Sequence, residues 1–299
     1  AQTRHALERL ERITSQERHI LNHMPHGSKA WQRYLSQMIT DRRKVHFDGM
    51  VLFLPNDLYH LGEEVRQFHF HPHRSSSALD FDTWFSRNQP VHIEIGCGKG
   101  KWINERVGRM RGENWIGVDH FWNRIKSTLT RYLVFNNVPV PLAHSHGLKQ
   151  SFLSPETETK VSELRGIKGD AQFLFKHLVP RNSVDHVYLN FPEPWPRANQ
   201  EKKRILTPDF CESIALSLKS NGVFHIATDH KDLLLWMLQN LQNCSLLEPL
   251  PELRAPPYFT SLPQNYGEST YMEVWKTRQR TFFYSAWSVV ADSESGLNT

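Results

Sequence analysis

Val91-His-Ile-Glu-Ile-Gly-Cys-Gly-Lys-Gly100 decides the class of fold. A short apolar run broken by one acid reads as a buried strand. Three glycines at alternate positions then let the backbone turn tightly, and Trp102 to Met110 reads as a helix. Downstream the alternation repeats. Asn114 to Val118 is a strand ending in Asp119, followed by a helix over Phe121 to Phe135. After a loop insertion over 136–160, strand-like Val161 to Ile167 leads to Gly169-Asp170 and a helix over Ala171 to Leu178. Val184 to Leu189 is a strand, Pro208 to Lys219 a helix with proline in its first turn, and Gly222 to Thr228 a strand capped by Asp229. A helix then runs to about Leu241. Thr270 to Lys276 and Arg280 to Val290 are two strand-like runs that predict a terminal hairpin. Strands alternating with helices mean an α/β, Rossmann-like, doubly wound and mostly parallel sheet, with that hairpin as its antiparallel end.

Upstream the texture differs. Residues 1 to about 46 are polar, with Leu7, Leu10, Ile13 and later Trp31, Tyr34, Leu35 and Met38 at helical spacing. Gly49 to Leu54 is a candidate strand or buried elbow ended by Pro55. His69, His71 and His73 would share a face of an extended segment; nothing beside them completes a ligand set, so no metal is expected. Arg74 to Ala78 looks like a linker. The expected organisation is therefore a largely helical N-terminal extension over 1–78, a catalytic domain over 79–291 and a tail over 292–299.

Composition narrows the class. The 299 residues are 39% hydrophobic and 22% charged, as in soluble globular proteins. A formal charge of +5 is compatible with nucleic acid or another acidic partner. Three scattered cysteines make neither a disulfide framework nor a metal motif and suit a reducing, cytoplasmic setting. No apolar run reaches the length of a membrane span, so no membrane partner is expected. The first twenty residues mix Arg and Glu without an apolar core, which is not the pattern of a secretory signal.

The chemistry gathers at strand ends, where open α/β sheets bind ligands. Gly-x-Gly-x-Gly is not the dinucleotide fingerprint, but lies where backbone can approach a ligand. Glu94 is an acid inside an apolar strand, where it demands a partner. Asp119, about twenty residues past the glycines, is placed to accept from ribose hydroxyls. Asp170 either accepts from an adenine amino group or caps the helix it precedes. Successive acids would repel a diphosphate and attract a cationic sulfonium. Asn190-Phe-Pro-Glu-Pro-Trp-Pro-Arg197 is a loop stiffened by three prolines, and the cations Lys202, Lys203 and Arg204 follow. Read alone, it is either a rigid turn before a solvated charge run or a platform for a base with its phosphate. Trp195 either stacks on a base or anchors the loop.

Ile93 to Gly100, Gly117-Val-Asp119, Gly169-Asp170-Ala171, Phe191-Pro-Glu-Pro-Trp195 with its basic tail, and Gly222 to Asp229 together resemble the bacterial tRNA (guanine-N7)-methyltransferases. The likeness runs from about Leu79 to at least Asp229. It implies S-adenosyl-L-methionine as cofactor, tRNA as partner, and methylation of N7 of a guanosine in the variable loop. It further implies cofactor contacts at Glu94, Gly96, Gly98, Asp119, Asp170 and Glu193, with Glu193 as the catalytic acid. Arg197, Asp229 and Thr270-Tyr271-Met272-Glu273 match substrate positions. The chain departs from the family in having Glu193 where Asp is usual, a longer 136–160 insertion and a larger N-terminal portion. Those departures keep a second reading open, a tRNA- or RNA-binding module that retains the fold with little or no activity. Oligomeric state is not legible.

Overall fold

A computed structural model describes residues 47, 50–54, 79–140 and 155–290. The helical periodicity of 1–46, the histidines at 69, 71 and 73, most of the 136–160 insertion and the 292–299 tail lie outside the described residues. In chain order the elements are β1 (Val51–Phe53), α1 (Phe81–Phe85), β2 (Val91–Ile95), α2 (Lys101–Arg109), β3 (Asn114–Asp119), α3 (Trp122–Phe135) and α4 (Pro155–Lys160). Then come β4 (Leu164–Lys168), α5 (Ala171–His177), β5 (Val184–Asn190), a 3₁₀ turn (Ala198–Lys203), α6 (Pro208–Ser217) and β6 (Leu218–Thr228). The series closes with α7 (Lys231–Gln242), β7 (Leu247–Pro249), α8 (Thr270–Lys276) and β8 (Phe283–Val289). This is the expected α/β fold, mostly parallel with antiparallel C-terminal strands.

The described residues form two compact units. One takes those up to Pro90 together with Gly96–Pro180; the other takes Val91–Ile95 and those from Arg181 onward. In the first unit β4 pairs in parallel with β1 on one side and β3 on the other. Every residue of β3 and β4 is buried, as strands covered on both faces require. Helix α3 lays Ile125, Leu129 and Leu133 against them at four-residue spacing. Gly166 on β4 permits the close approach, because a Cβ there would stand 2.8 Å from Ile125 Cγ2. The buried Arg165 is not a stray charge: its guanidinium donates to the carbonyls of Trp84, Val161 and Leu164 and lies over Phe85. Strand β1 belongs to this sheet although its residues lie within the 1–78 segment.

In the second unit the order is β2-β5-β6-β8-β7. The first three strands run parallel, and β8 is antiparallel to both β6 and β7. Helices α6 and α7 bury Phe210, Cys211 and Ile214, and Leu233, Leu234, Met237 and Leu241. Thr207 caps α6 ahead of Pro208. Across the sheet His92 stacks on His186 at 4.8 Å, His186 Nδ1 lies 3.0 Å from His225 Nε2, and His225 Nδ1 lies 2.8 Å from the Tyr284 hydroxyl.

Two sequence expectations are corrected. Residues 270–276 form helix α8 and not a strand, so the terminal hairpin does not exist. Ser269 caps the helix by accepting from Met272 N–H, and Met272 alone among residues 271–276 is fully buried, a one-per-turn pattern that a pleated strand would not give. The antiparallel partners of β8 are instead β6 on one side and β7 on the other, and the three residues of β7, Leu-Glu-Pro, are too short to announce themselves, with a proline that suits an edge. The segment 155–160, read as part of a loop, is helix α4 with Pro155 at its start, and β4 begins only at Leu164.

Candidate functional site

The glycine turn of the first unit is built by strain that only glycine carries cheaply. Gly96, Gly98 and Gly100 all have positive φ, at 74°, 56° and 75°. Gly96 N–H and Cys97 N–H both donate to Val118 O, at 2.8 and 3.0 Å, which ties the turn to the end of β3. Behind it, Thr128 Oγ1 donates to Gly98 O at 3.2 Å and Asn104 Nδ2 to Gly100 O at 2.7 Å. A Cβ at Gly100 would stand 2.4 Å from Thr128 Oγ1, so α3 closes that side. At Gly96 and Gly98 a Cβ would meet nothing within 4 Å among the described residues. That leaves open backbone on which the flat part of a nucleoside can lie.

Asp119 is the keystone of this turn. Buried at the end of β3, its Oδ2 accepts from Gly98 N–H at 3.1 Å and its Oδ1 from Phe121 N–H at 3.0 Å, with Arg124 Nη1 3.5 Å away. Its carbonyl accepts from Gly169 N–H at 3.0 Å, which brings the start of the next acid's loop beside it. Asp170 caps α5 by accepting from Phe173 N–H at 2.8 Å, and its second oxygen lies 3.5 Å from His120 Nε2. The cap half of the two readings for Asp170 is therefore realised. Each carboxylate oxygen still has lone-pair capacity beyond these bonds.

In the second unit Glu94 is buried on β2 and its Oε1 accepts from Asn190 Nδ2 at 3.0 Å; Asn190 Oδ1 in turn accepts from the Tyr266 hydroxyl at 2.7 Å. The strand that delivers Asn190 then enters the proline loop, where Phe191 and Trp195 hold φ at 50° and 41°. Left-handed backbone at two bulky residues, each directly before a proline, costs on the order of 1–3 kcal/mol apiece. It is held by Phe191 N–H donating to Ala227 O at 2.7 Å and by Arg204 Nε donating to Pro194 O at 3.1 Å. The consequence is an exposed Glu193 on a backbone with little freedom. Trp195 is half-buried with Lys203 Nζ 4.7 Å above its ring, so it braces the basic turn from within. Arg197 is exposed where the 3₁₀ turn begins.

Asp229, just past β6, accepts from Arg280 Nη1 at 2.5 Å. The Arg280 guanidinium lies 3.6 Å from the centroid of Trp275 on α8, and Arg278 lies 4.9 Å from the same ring. Tyr271, exposed one turn earlier, packs against Trp275 at 5.5 Å and against Phe191 at 5.4 Å. Its hydroxyl is held above the ordinary tyrosine value by burial first and then by the Asp229 charge, with Glu193 adding to the effect and Arg280 opposing it. Glu193, Asp229 and Arg280 thus each lie within electrostatic reach of the Tyr271 hydroxyl. Of the remaining substrate positions, Thr270 opens α8 and Glu273 is exposed, while Met272 is buried with Sδ 3.4 Å from Ser269 N–H and serves the cap. Sequence reasoning missed Tyr266, Trp275 and Arg280. No local spacing links Arg280 to an acid 51 positions earlier; only the cluster of cations after α8 hinted at it.

Among the described residues no cluster of three His, Cys, Asp or Glu side chains is arranged to hold a metal ion, and no helix is long and apolar enough to cross a membrane. A family model described as "putative methyltransferase" matches residues 88–255, a span that contains the glycine turn, Asp119, Asp170, the Glu193 loop and Asp229. The tRNA (guanine-N(7)-)-methyltransferase of Chlamydia caviae is 24% identical over 245 residues, covering 82% of this chain and 91% of that protein. The protein of the same name in Colwellia psychrerythraea is 29% identical over 206 residues, 66% and 75% of the two chains. That of Klebsiella pneumoniae is 32% identical over 165 residues, 55% and 59% of the two.

Proposed function

The chain belongs to the putative methyltransferase family, and we propose that it transfers a methyl group from S-adenosyl-L-methionine to N7 of a guanosine in tRNA, the variable-loop guanosine that the sequence resemblance implies. The observation that carries this reading is the Glu193 loop: an exposed carboxylate flanked by prolines between two left-handed residues, Phe191 and Trp195, in a chain alignable over 82% of its length with a tRNA (guanine-N(7)-)-methyltransferase. The open backbone at Gly96 and Gly98, with Asp119 and Asp170 beside it, fits a nucleoside carrying a cation better than one carrying a diphosphate.

S-adenosyl-L-methionine, when bound, supplies a sulfonium methyl, so that a bond from N7 to carbon forms as the carbon–sulfur bond breaks. Guanine N7 has a lone pair and no proton, so no side chain needs to act as a general base. The protein's part is alignment and compensation for the positive charge arriving on the purine. Glu193 accepts from a guanine N–H and places its negative charge against that developing cation. Asp229 accepts from a second donor on the base edge. Glu94, fixed by Asn190 and through it by Tyr266, sets the end of β5 from which the loop departs. Lys202 and Lys203, both exposed, engage phosphates, as does Arg197. On this reading the enzyme works in the cytoplasm, alongside its tRNA. Radiolabelled transfer to unmodified tRNA transcripts, followed by nuclease digestion, tests it: 7-methylguanosine is the expected product. Binding of the transcripts without that product would favour the RNA-binding module instead.

A further inference from the structure

We propose that Arg280 is a positioning residue for Asp229, and that the ring of Trp275 is the platform that fixes it. The inference rests on the reading above, in which Asp229 meets the guanine. The Asp229 side chain is only 6% exposed, and a carboxylate so placed is costly without a counter-charge and a defined donor. Arg280 provides both through the 2.5 Å bond to Oδ2, while its own side chain remains 44% exposed. An exposed arginine would ordinarily sample many rotamers. Here its guanidinium carbon sits 3.6 Å from the Trp275 centroid, so the indole face restricts the guanidinium while Nη1 donates to Asp229.

A lysine ammonium has no plane to stack on the indole while it donates to Asp229, so the arrangement suits arginine. Trp275 is itself held by the edge of Tyr271 and shared with Arg278, which makes α8 the base of the device. Glu193 and Asp229 bring two negative charges near Tyr271, and Arg280 cancels one of them. Of that pair, Glu193 keeps the charge that faces a purine becoming cationic, while Asp229 keeps a fixed orientation and directs Oδ1 at a donor.

The test uses the full chain and tRNA transcripts that the wild type converts to 7-methylguanosine. A wild type without transfer fails the functional reading; wild-type transfer with an equally active Arg280→Ala fails only the present inference. Arg280→Ala and Trp275→Leu should each lower kcat by about 100-fold, the scale on which one partner of a buried hydrogen-bonded charge pair is lost. Adding Arg280→Ala to Asp229→Asn should cost less than about threefold further, because the two act as one unit. The slope of tRNA affinity against salt should not change in Arg280→Ala, since the guanidinium is spent on Asp229 and not on a phosphate. A slope reduced by about one charge, or fully additive losses in the double variant, would overturn the proposal. If Arg280→Ala does not fold, Arg280→Lys carries the test: activity within about threefold of Ala's predicted loss supports the stacked guanidinium, and wild-type activity refutes it.

Discussion

Asp119→Asn should weaken S-adenosyl-L-methionine binding by about 30-fold, although it changes one heavy atom. The carboxylate accepts two backbone N–H groups on different oxygens, Gly98 on Oδ2 and Phe121 on Oδ1, with Arg124 3.5 Å from Oδ2. An asparagine has one accepting oxygen. Whichever way the amide turns, its NH₂ faces an N–H that also donates. A hydrogen bond to a charged acceptor is worth about 1.5–3 kcal/mol, and one of the two is lost outright while the other becomes neutral. Gly98 is half-buried and Phe121 exposed, so water recovers part of the loss, which puts the net cost near the lower end at about 2 kcal/mol. Because Gly98 carries the open backbone of the turn, that energy comes off the cofactor-competent conformation, and about 1.4 kcal/mol per tenfold gives roughly the 30-fold figure. Calorimetric titration with S-adenosyl-L-methionine measures it, with thermal unfolding run beside it. Asp119→Ala should bind no worse than Asn, since it removes the acceptor without opposing donor to donor. An Asn variant within about twofold of the wild-type Kd would show that Asp119 does not shape the turn.

Gly100→Ala should cost about 2–5 kcal/mol of stability, from a left-handed alanine and a Cβ driven into α3. Thr128→Ala should not rescue it, because Thr128 Cβ already lies 2.6 Å from the new atom; denaturant midpoints of the single and double variants decide this. Glu193→Ala should remove methyl transfer and leave the S-adenosyl-L-methionine Kd nearly unchanged, and an equal loss of both would make Glu193 chiefly a cofactor ligand. Lys202→Ala with Lys203→Ala should reduce the salt slope of tRNA binding by about 0.7–0.9 for each phosphate no longer neutralised. Arg204→Ala should leave that slope alone, since Arg204 is bonded to Pro194 O and stacked on Trp236, and it should show as a lower Tm instead. Burial pushes the Cys211 thiol up to about 12 from its ordinary 9.0, so its neutral form contributes stability that is whole below pH 9 and is lost as pH rises toward 12. The urea midpoint of Cys211→Ala should fall less steeply than the wild type's across that window.

The sequence by itself determined the strands whose residues are buried on both faces. Val91–Ile95, Asn114–Asp119 and the buried Val187–Leu189 stretch of Val184–Asn190 are largely apolar runs, and such runs have no stable alternative once helices cover them. It also determined the glycine turn and its acids, because positive φ at alternate positions and a carboxylate at a strand end are local facts of chain chemistry. Tertiary structure alone decided what the terminal third does. Tyr-Met-Glu-Val-Trp-Lys reads as strand-like, and the Ser269 cap with the burial of Met272 chose helix. β7 exists only because β8 offers it an edge. Likewise Arg204 reads as one more cation of a basic run until Pro194 and Trp236 claim it, and Asp229 reads as a lone acid until Arg280 arrives from 51 residues away. Long-range charge pairing leaves no periodicity in a chain, since the energy depends on distance in space and not on separation in sequence.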